Sequence, residues 1–258
     1  KTVDIIPVDE FGRVRIDALQ ALLGRPNTLV SVMLANNETG VVQDIAAIVE
    51  VAKAAGAIVH VDAVQAFGKR PVSFGIMGCD MMTVAAHKVG GPVGISALVV
   101  RDGLVIEPLM FGGGQELRRR AGTENLPAIA GFAAVAKENH LDTYTLTDQL
   151  EAALSDAVVF SDGRERLCNT TCFAIPGMKA ETLVMNLDLE GFAVSSGSAC
   201  SSGKVGKSHV LEAMGVDAEL ASGAIRISSG WNTTEQDIGR FIAALEKLKA
   251  RRSARVAA

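Results

Sequence analysis

The sequence has 258 residues, 48% hydrophobic and 21% charged, with a formal net charge of −4, enough for a sizeable core in one or two domains. Only 4% of residues are aromatic, so aliphatic side chains and alanine must fill that core. The basic residues are scattered apart from the short run LRRR (117–120), which excludes nucleic acid as a main partner. No apolar run reaches the length of a membrane span and no secretory signal pattern is present, so a reducing cytoplasm is the expected compartment.

The chain opens on KTVDIIPVD, which reads as a strand and as the continuation of something longer. TLVSVML (28–34) is an unbroken β-rich run, the pattern of a strand buried on both faces. Asp44 then caps IAAIVEVAKAA, whose apolar positions recur at helical spacing, and Gly56 ends that helix. AIVHV (57–61), DMMTV (80–84) and ISALVV (95–100) follow as further strands. Strands alternating with helices imply an α/β domain with a mainly parallel sheet. NLPAIAGFAAVAKEN (125–139) reads as a long helix, and the texture changes after it. NTTCFAI, GFAVS and AIRISS are short strands between helices expected over 180–189, 207–214 and 234–250, the last capped and amphipathic. Two domains are therefore expected: 1–142, a partial large domain, and 143–258, a smaller α+β domain.

The four cysteines have neither disulfide-scaffold density nor zinc-ribbon spacing, and no metal site is expected. Cys79, Cys168 and Cys172 sit in apolar strand or pre-strand contexts and read as core residues. Cys200 differs, because AVSSGSACSSGK (193–204) surrounds it with small, flexible residues and offers no packed pocket. That setting suits an accessible thiol whose thiolate can react. Asp62 falls at the C-terminal end of a buried strand, where ligands of open α/β sheets collect, and Lys88 lies in a glycine-rich turn past the next strand. An acid and a lysine so placed fit two readings equally. One is a structural ion pair. The other is a pyridoxal phosphate site, where the lysine forms a Schiff base and the carboxylate keeps the pyridine nitrogen protonated.

In order along the chain, ANNETG (35–40), HVDAVQ (60–65), AHKVGGPVG (86–94), GGGQELRRRAGTEN (112–125), SSGSACSSG (195–203) and AIRIS (224–228) resemble the motifs of cysteine desulfurases. These are pyridoxal 5'-phosphate enzymes of the class V aminotransferase group. The resemblance covers nearly the whole chain and implies the fold-type-I transferase architecture. It also implies a homodimer with shared sites, L-cysteine as substrate, and a sulfur-acceptor or scaffold protein in iron–sulfur cluster assembly or another thiolation pathway. By the same resemblance Lys88 is the Schiff-base lysine, Asp62 pairs with the pyridine nitrogen and Gln65 bonds the ring hydroxyl. Asn37 orients ring and substrate, His87 contacts the phosphate, and Thr123 reaches the phosphate in the partner subunit. Arg226 clamps the substrate carboxylate, a task that suits a planar bidentate donor. Cys200 takes the sulfur as a persulfide while the substrate leaves as alanine.

Two departures from the family pattern bear on the cofactor. The family's N-terminal portion, with a phosphate-binding turn and a ring-stacking histidine, has no counterpart here. Ala85 stands where the family has a phosphate-binding serine. A selenocysteine lyase shares several of these segments, and a truncated, inactive paralogue would keep them as well.

Overall fold

The computed structural model describes residues 2–138, 144–197 and 208–256. Among these the elements run α1 (Ile16–Leu22), β1 (Leu29–Met33), α2 (Ile45–Ala54), β2 (Ile58–Asp62), α3 (Phe74–Met77), β3 (Met81–Ala85), β4 (Ser96–Val100) and α4 (Leu126–Val135). They continue with α5 (Tyr144–Ala152), β5 (Val158–Val159), β6 (Thr170–Ala174), α6 (Ala180–Leu189), β7 (Ser195–Ser196), α7 (His209–Ala213), α8 (Ala218–Ser222), β8 (Ile225–Ser228) and α9 (Glu235–Val256). The chain forms two compact units, one of residues 23–34 and 45–139, the other of residues 1–22, 35–44 and 140–258. The second unit is thus assembled from three stretches of chain. The expected boundary at 142/143 falls outside the described residues.

In the unit of residues 23–34 and 45–139 the sheet order is β1-β2-β3-β4, parallel except for the antiparallel β3–β4 pair. Val30, Val32, Val59, Val61, Met82 and Val84 point to one buried face, and α2 buries Ile45, Ile48, Val49 and Ala52 in the same unit. The opposite face differs from the expectation of strands buried on both sides. Leu29, Ile58 and Leu98 are exposed there, and Ser31, His60 and Thr83 bond to one another across three strands. A period of two puts these polar residues on one face whatever the neighbouring valines do. At the far end of the sheet Asp80 is buried. Its carboxylate accepts from the Val59 N–H (2.9 Å), Arg101 Nε (2.7 Å) and Lys53 Nζ (3.3 Å). Burial pushes the Asp80 carboxyl up, but those donors together outweigh it and hold it below the ordinary carboxylate range.

In the other unit the sheet is wholly antiparallel, in the order β5-β6-β8-β7. Every residue of β6 is buried. Phe173 and Ile225 join Leu183 and Leu187 of α6 and Phe241 and Leu245 of α9 in one core cluster. Cys172, Ala174 and Ala224 join Leu211 and Met214 in another. This unit also carries a bidentate pair, Arg166 to Glu151 at 2.7 and 2.6 Å, with the Thr171 hydroxyl donating to the same carboxylate. Among the described residues 2–9 of KTVDIIPVD there is no strand. Val3 and Ile5 are exposed, and the segment enters only one isolated bridge, Val8 with Val14. GFAVS likewise pairs only at its end, through β7.

Candidate active site

The first group of expected site residues gathers at the C-terminal ends of β2 and β3. Asp62 is the last residue of β2, and its carbonyl accepts from the Leu34 N–H at 2.7 Å. The Ala63 N–H donates to the Thr83 carbonyl at 2.9 Å, so the strand end is stitched to both neighbours. Asp62 Oδ1 accepts from the Val64 N–H at 2.9 Å, which fixes the half-buried carboxylate at the start of the turn. Gln65 follows in that turn, its Oε1 taking Lys69 Nζ at 3.3 Å.

Lys88 stands in a single 3-10 turn, Ala86–Val89, directly beyond β3. Gly90 ends the turn with φ +81°, a conformation L side chains rarely adopt, and its N–H returns to the Ala86 carbonyl. Gly91 is needed for closeness instead: a Cβ there would lie 2.9 Å from Ala86 Cβ and 2.9 Å from Val135 Cγ2. One turn further, a Cβ at Gly131 would lie 2.6 Å from Pro92 Cγ. The KVGGP turn therefore packs tightly on α4, and this packing positions Lys88. Lys88 is half-buried and His87 exposed. Ala85 is buried, and the 3-10 turn it precedes has no side-chain cap. Thr123 is exposed and follows a turn in which Glu116, Leu117 and Arg118 all have positive φ.

The second group lies in the other unit, around the ANNETG turn. Asn36 Oδ1 accepts from the N–H groups of Glu38 (2.8 Å) and Thr39 (3.0 Å), and the Gly40 N–H closes on the Asn36 carbonyl at φ +76°. The turn presents the Asn37 carbonyl to Arg226 Nη1 at 2.7 Å. Arg226 sits on β8 with Cys172 opposite on one side and Ser195 on the other, and its Nη2 donates to Ser195 Oγ at 3.3 Å. Arg226 Nε is buried and has no partner among the described residues. Asn37 thus meets Arg226 through its main chain. Cys200 lies outside the described residues.

Beneath this turn is a carboxylate that sequence reasoning passed over. Glu38 is 2% exposed and accepts from Ser208 Oγ at 2.5 Å. Ser208 also caps α7, receiving the Leu211 N–H at 3.1 Å. Burial pushes the Glu38 carboxyl up, and the Ser208 hydroxyl with the His209 and Arg226 charges offsets only part of the shift. Cys172 is pushed up to about 12 by burial and then by the Glu38 charge, which keeps it an inert thiol. Nothing in the spacing of ANNETG separates Glu38 from an exposed turn residue. The signal appears only when β8 and α7 are folded against the turn.

The family described as aminotransferase class-V matches residues 1–241. A cysteine desulfurase of Cereibacter sphaeroides is 44% identical over 252 residues, covering 95% of this chain and 65% of that protein. One from Sinorhizobium fredii is 42% identical over 264 residues, covering 96% of this chain and 68% of that protein. The solved NifS-like protein of Rickettsia africae superposes with a TM-score of 0.86 at 39% identity, over 95% of this chain and 69% of that one. The chain thus spans about two thirds of the length of these relatives. By the family match over residues 1–241 and the 42% identity to the Sinorhizobium fredii enzyme, the chain belongs to the class-V aminotransferase family, in its cysteine desulfurase branch.

Proposed function

We propose that this chain carries the lysine, the carboxylate and the cysteine of a pyridoxal 5'-phosphate-dependent cysteine desulfurase. The observation that bears most weight is that Asp62 and Lys88 stand at the C-terminal ends of adjacent parallel strands. The residues present fit the cofactor. Asp62 Oδ2 takes no hydrogen bond among the described residues and offers an acceptor for a pyridinium N–H. Lys88 is the amine for the aldehyde, and Gln65 and His87 stand within the same two turns. Ala85 removes one donor from the phosphate end.

When bound there, pyridoxal phosphate would supply an electron sink for negative charge at the substrate Cα. Lys88 Nζ would hold the cofactor and, as a free amine, would accept the Cα proton. Asp62 would keep the ring nitrogen protonated. Arg226, held by Asn37 and Ser195, has an unpartnered Nε to turn toward a substrate carboxylate. The Cys200 thiolate attacks the substrate sulfur. An S–S bond forms as the Cβ–S bond breaks, the electron pair stays with carbon, and protonation releases alanine. The other cysteines, Cys79, Cys168 and Cys172, are buried and unsuited to this step.

The cofactor site is completed by a second copy of the chain in this reading, with Thr123 directed to it. Leu109, Phe111 and Leu117 are exposed in the same stretch, apolar surface that a partner subunit would cover. A sulfur acceptor then collects the persulfide. No helix of the described residues is long and apolar enough to cross a membrane. The test is borohydride reduction of the protein saturated with pyridoxal phosphate, then peptide mapping, with the pyridoxyl group expected on Lys88. Cysteine given without reductant should add one sulfur to Cys200 by mass. A label on another lysine, or the sulfur on Cys168 or Cys172, would overturn the assignment.

A further inference from the structure

The β7–β8 pair is short, and a cavity opens where it stops. Ser195 pairs with Arg226 and Ser196 with Ile225, and no rung forms between the chain before Ser195 and the chain after Arg226. Between these two stretches lies a cavity of about 230 Å³, lined only by residues of the unit 1–22, 35–44 and 140–258. Phe192, Val194, Ile227 and Phe241 give it apolar walls, the two rings meeting edge to face with centroids 5.5 Å apart. Two polar residues of the lining have hydrogen-bonding capacity to spare. Ser229 Oγ is buried and has no partner among the described residues. Arg240 lies over the Phe192 ring, 5.7 Å from guanidinium carbon to centroid, and its only ion pair among the described residues is a long one, 4.0 Å to Asp237 Oδ1. Asp237 is committed elsewhere, because its Oδ2 accepts from the Thr234 N–H at 3.0 Å and from Thr234 Oγ1 at 2.7 Å.

We propose that this cavity is a ligand site, sharing no residue with the candidate active site, for small carboxylates that carry a single apolar ring or branched chain. The proposal does not depend on the desulfurase reading. Size sets the apolar part. A cavity of about 150 Å³ with aliphatic and aromatic walls holds a benzene ring, so the larger volume here has room for a ring and a short arm. The unspent groups set the arm. Arg240 and Ser229 are both donors, and a carboxylate can accept from both. The Phe192 face holds the guanidinium at the cavity without using its N–H groups. An amine would find only Asp237, whose Oδ2 already accepts two bonds from Thr234. An uncharged arm would leave the arginine unpaired.

The test is calorimetric titration of the protein with three probes of one shape: 3-phenylpropionate, 3-phenylpropanamide and 3-phenylpropylamine. The acid should bind saturably with a Kd below about 1 mM, and the amide and the amine each at least about fivefold more weakly. Arg240→Gln should weaken the acid about fivefold, a modest factor because the guanidinium is solvent-facing, and should leave the amide within about twofold of native. The preference for the acid then disappears in that variant. Val194→Trp, which fills the cavity, should abolish binding of all three probes. Should the tryptophan disturb the fold, Arg240→Gln still decides, since it alters an exposed side chain that packs into no core. No saturation by the acid up to about 10 mM, acid and amide equal within about twofold, or the amine binding tightest would overturn the proposal. So would an affinity for the acid in Arg240→Gln within about twofold of native, the result expected if Arg226 held the probe instead.

Discussion

Gly91→Ala tests how the KVGGP turn holds Lys88. The added methyl would lie 2.9 Å from Ala86 Cβ, 2.9 Å from Val135 Cγ2 and 3.1 Å from the Ala86 carbonyl oxygen. Carbon contacts are comfortable at about 3.5–4.0 Å, so two neighbours must each retreat by more than half an ångström. Overpacking of this size costs about 1–3 kcal/mol. Ala86 opens the turn that bears Lys88, so part of that strain is relieved by moving the lysine itself. If about 1.4 kcal/mol of it falls on the cofactor-bound state, affinity for pyridoxal phosphate drops about tenfold. Urea denaturation and a cofactor titration followed by absorbance measure the two effects. Gly90→Ala is the control: its methyl meets nothing within 4 Å, and only its φ of +81° is strained, at about 1–2 kcal/mol. Adding Val135→Ala should recover part of the Gly91→Ala loss but none of the Gly90→Ala loss. A Gly91→Ala protein within about 0.5 kcal/mol of native, or no recovery on trimming Val135, would refute the packing account.

Asp80→Ala strips the buried Val59 N–H of its acceptor and frees Lys53 and Arg101, so stability in urea should fall by about 2–4 kcal/mol. The Asp80 carboxyl is held below its ordinary range, so its contribution is present above that range and is lost as pH falls through the folded value. The gap to Asp80→Asn should accordingly close in acid. Glu38 has the opposite sign. Its carboxyl is raised, so the stabilisation it gives when protonated is lost as pH rises through the folded value. Glu38→Gln should therefore gain on native as pH rises above the ordinary carboxylate range, in paired denaturation curves. Glu151→Ala leaves the Arg166 guanidinium, 12% exposed, without its bidentate partner, a loss of about 3 kcal/mol. Replacing both residues by apolar ones should cost less than the single change.

The strands around Asp62 and Lys88 were legible because their signals are local. Buried β-rich runs ended by polar residues and glycines place β1, β2 and β3 within a residue or two of the expected positions. A parallel sheet then brings the ends of β2 and β3 side by side without further information. The core cysteines were legible for the same reason, since Cys172 sits in a strand whose every residue is apolar or small. Chain entry was not. Val3 and Ile5 carry a strand-like pattern, but a strand needs a partner in register, and the sequence does not name one. One face of the parallel sheet was also misread, because alternation at His60 is hidden among flanking valines and shows only when Ser31 and Thr83 meet it from neighbouring strands. Glu38 marks the same limit more sharply. Its neighbours in sequence are those of an exposed turn, whereas Arg226 and Ser208 lie 188 and 170 positions away (226 − 38 and 208 − 38). A side chain's charge and shape are written in the sequence, but its burial and partners are set by segments that only the folded chain brings together.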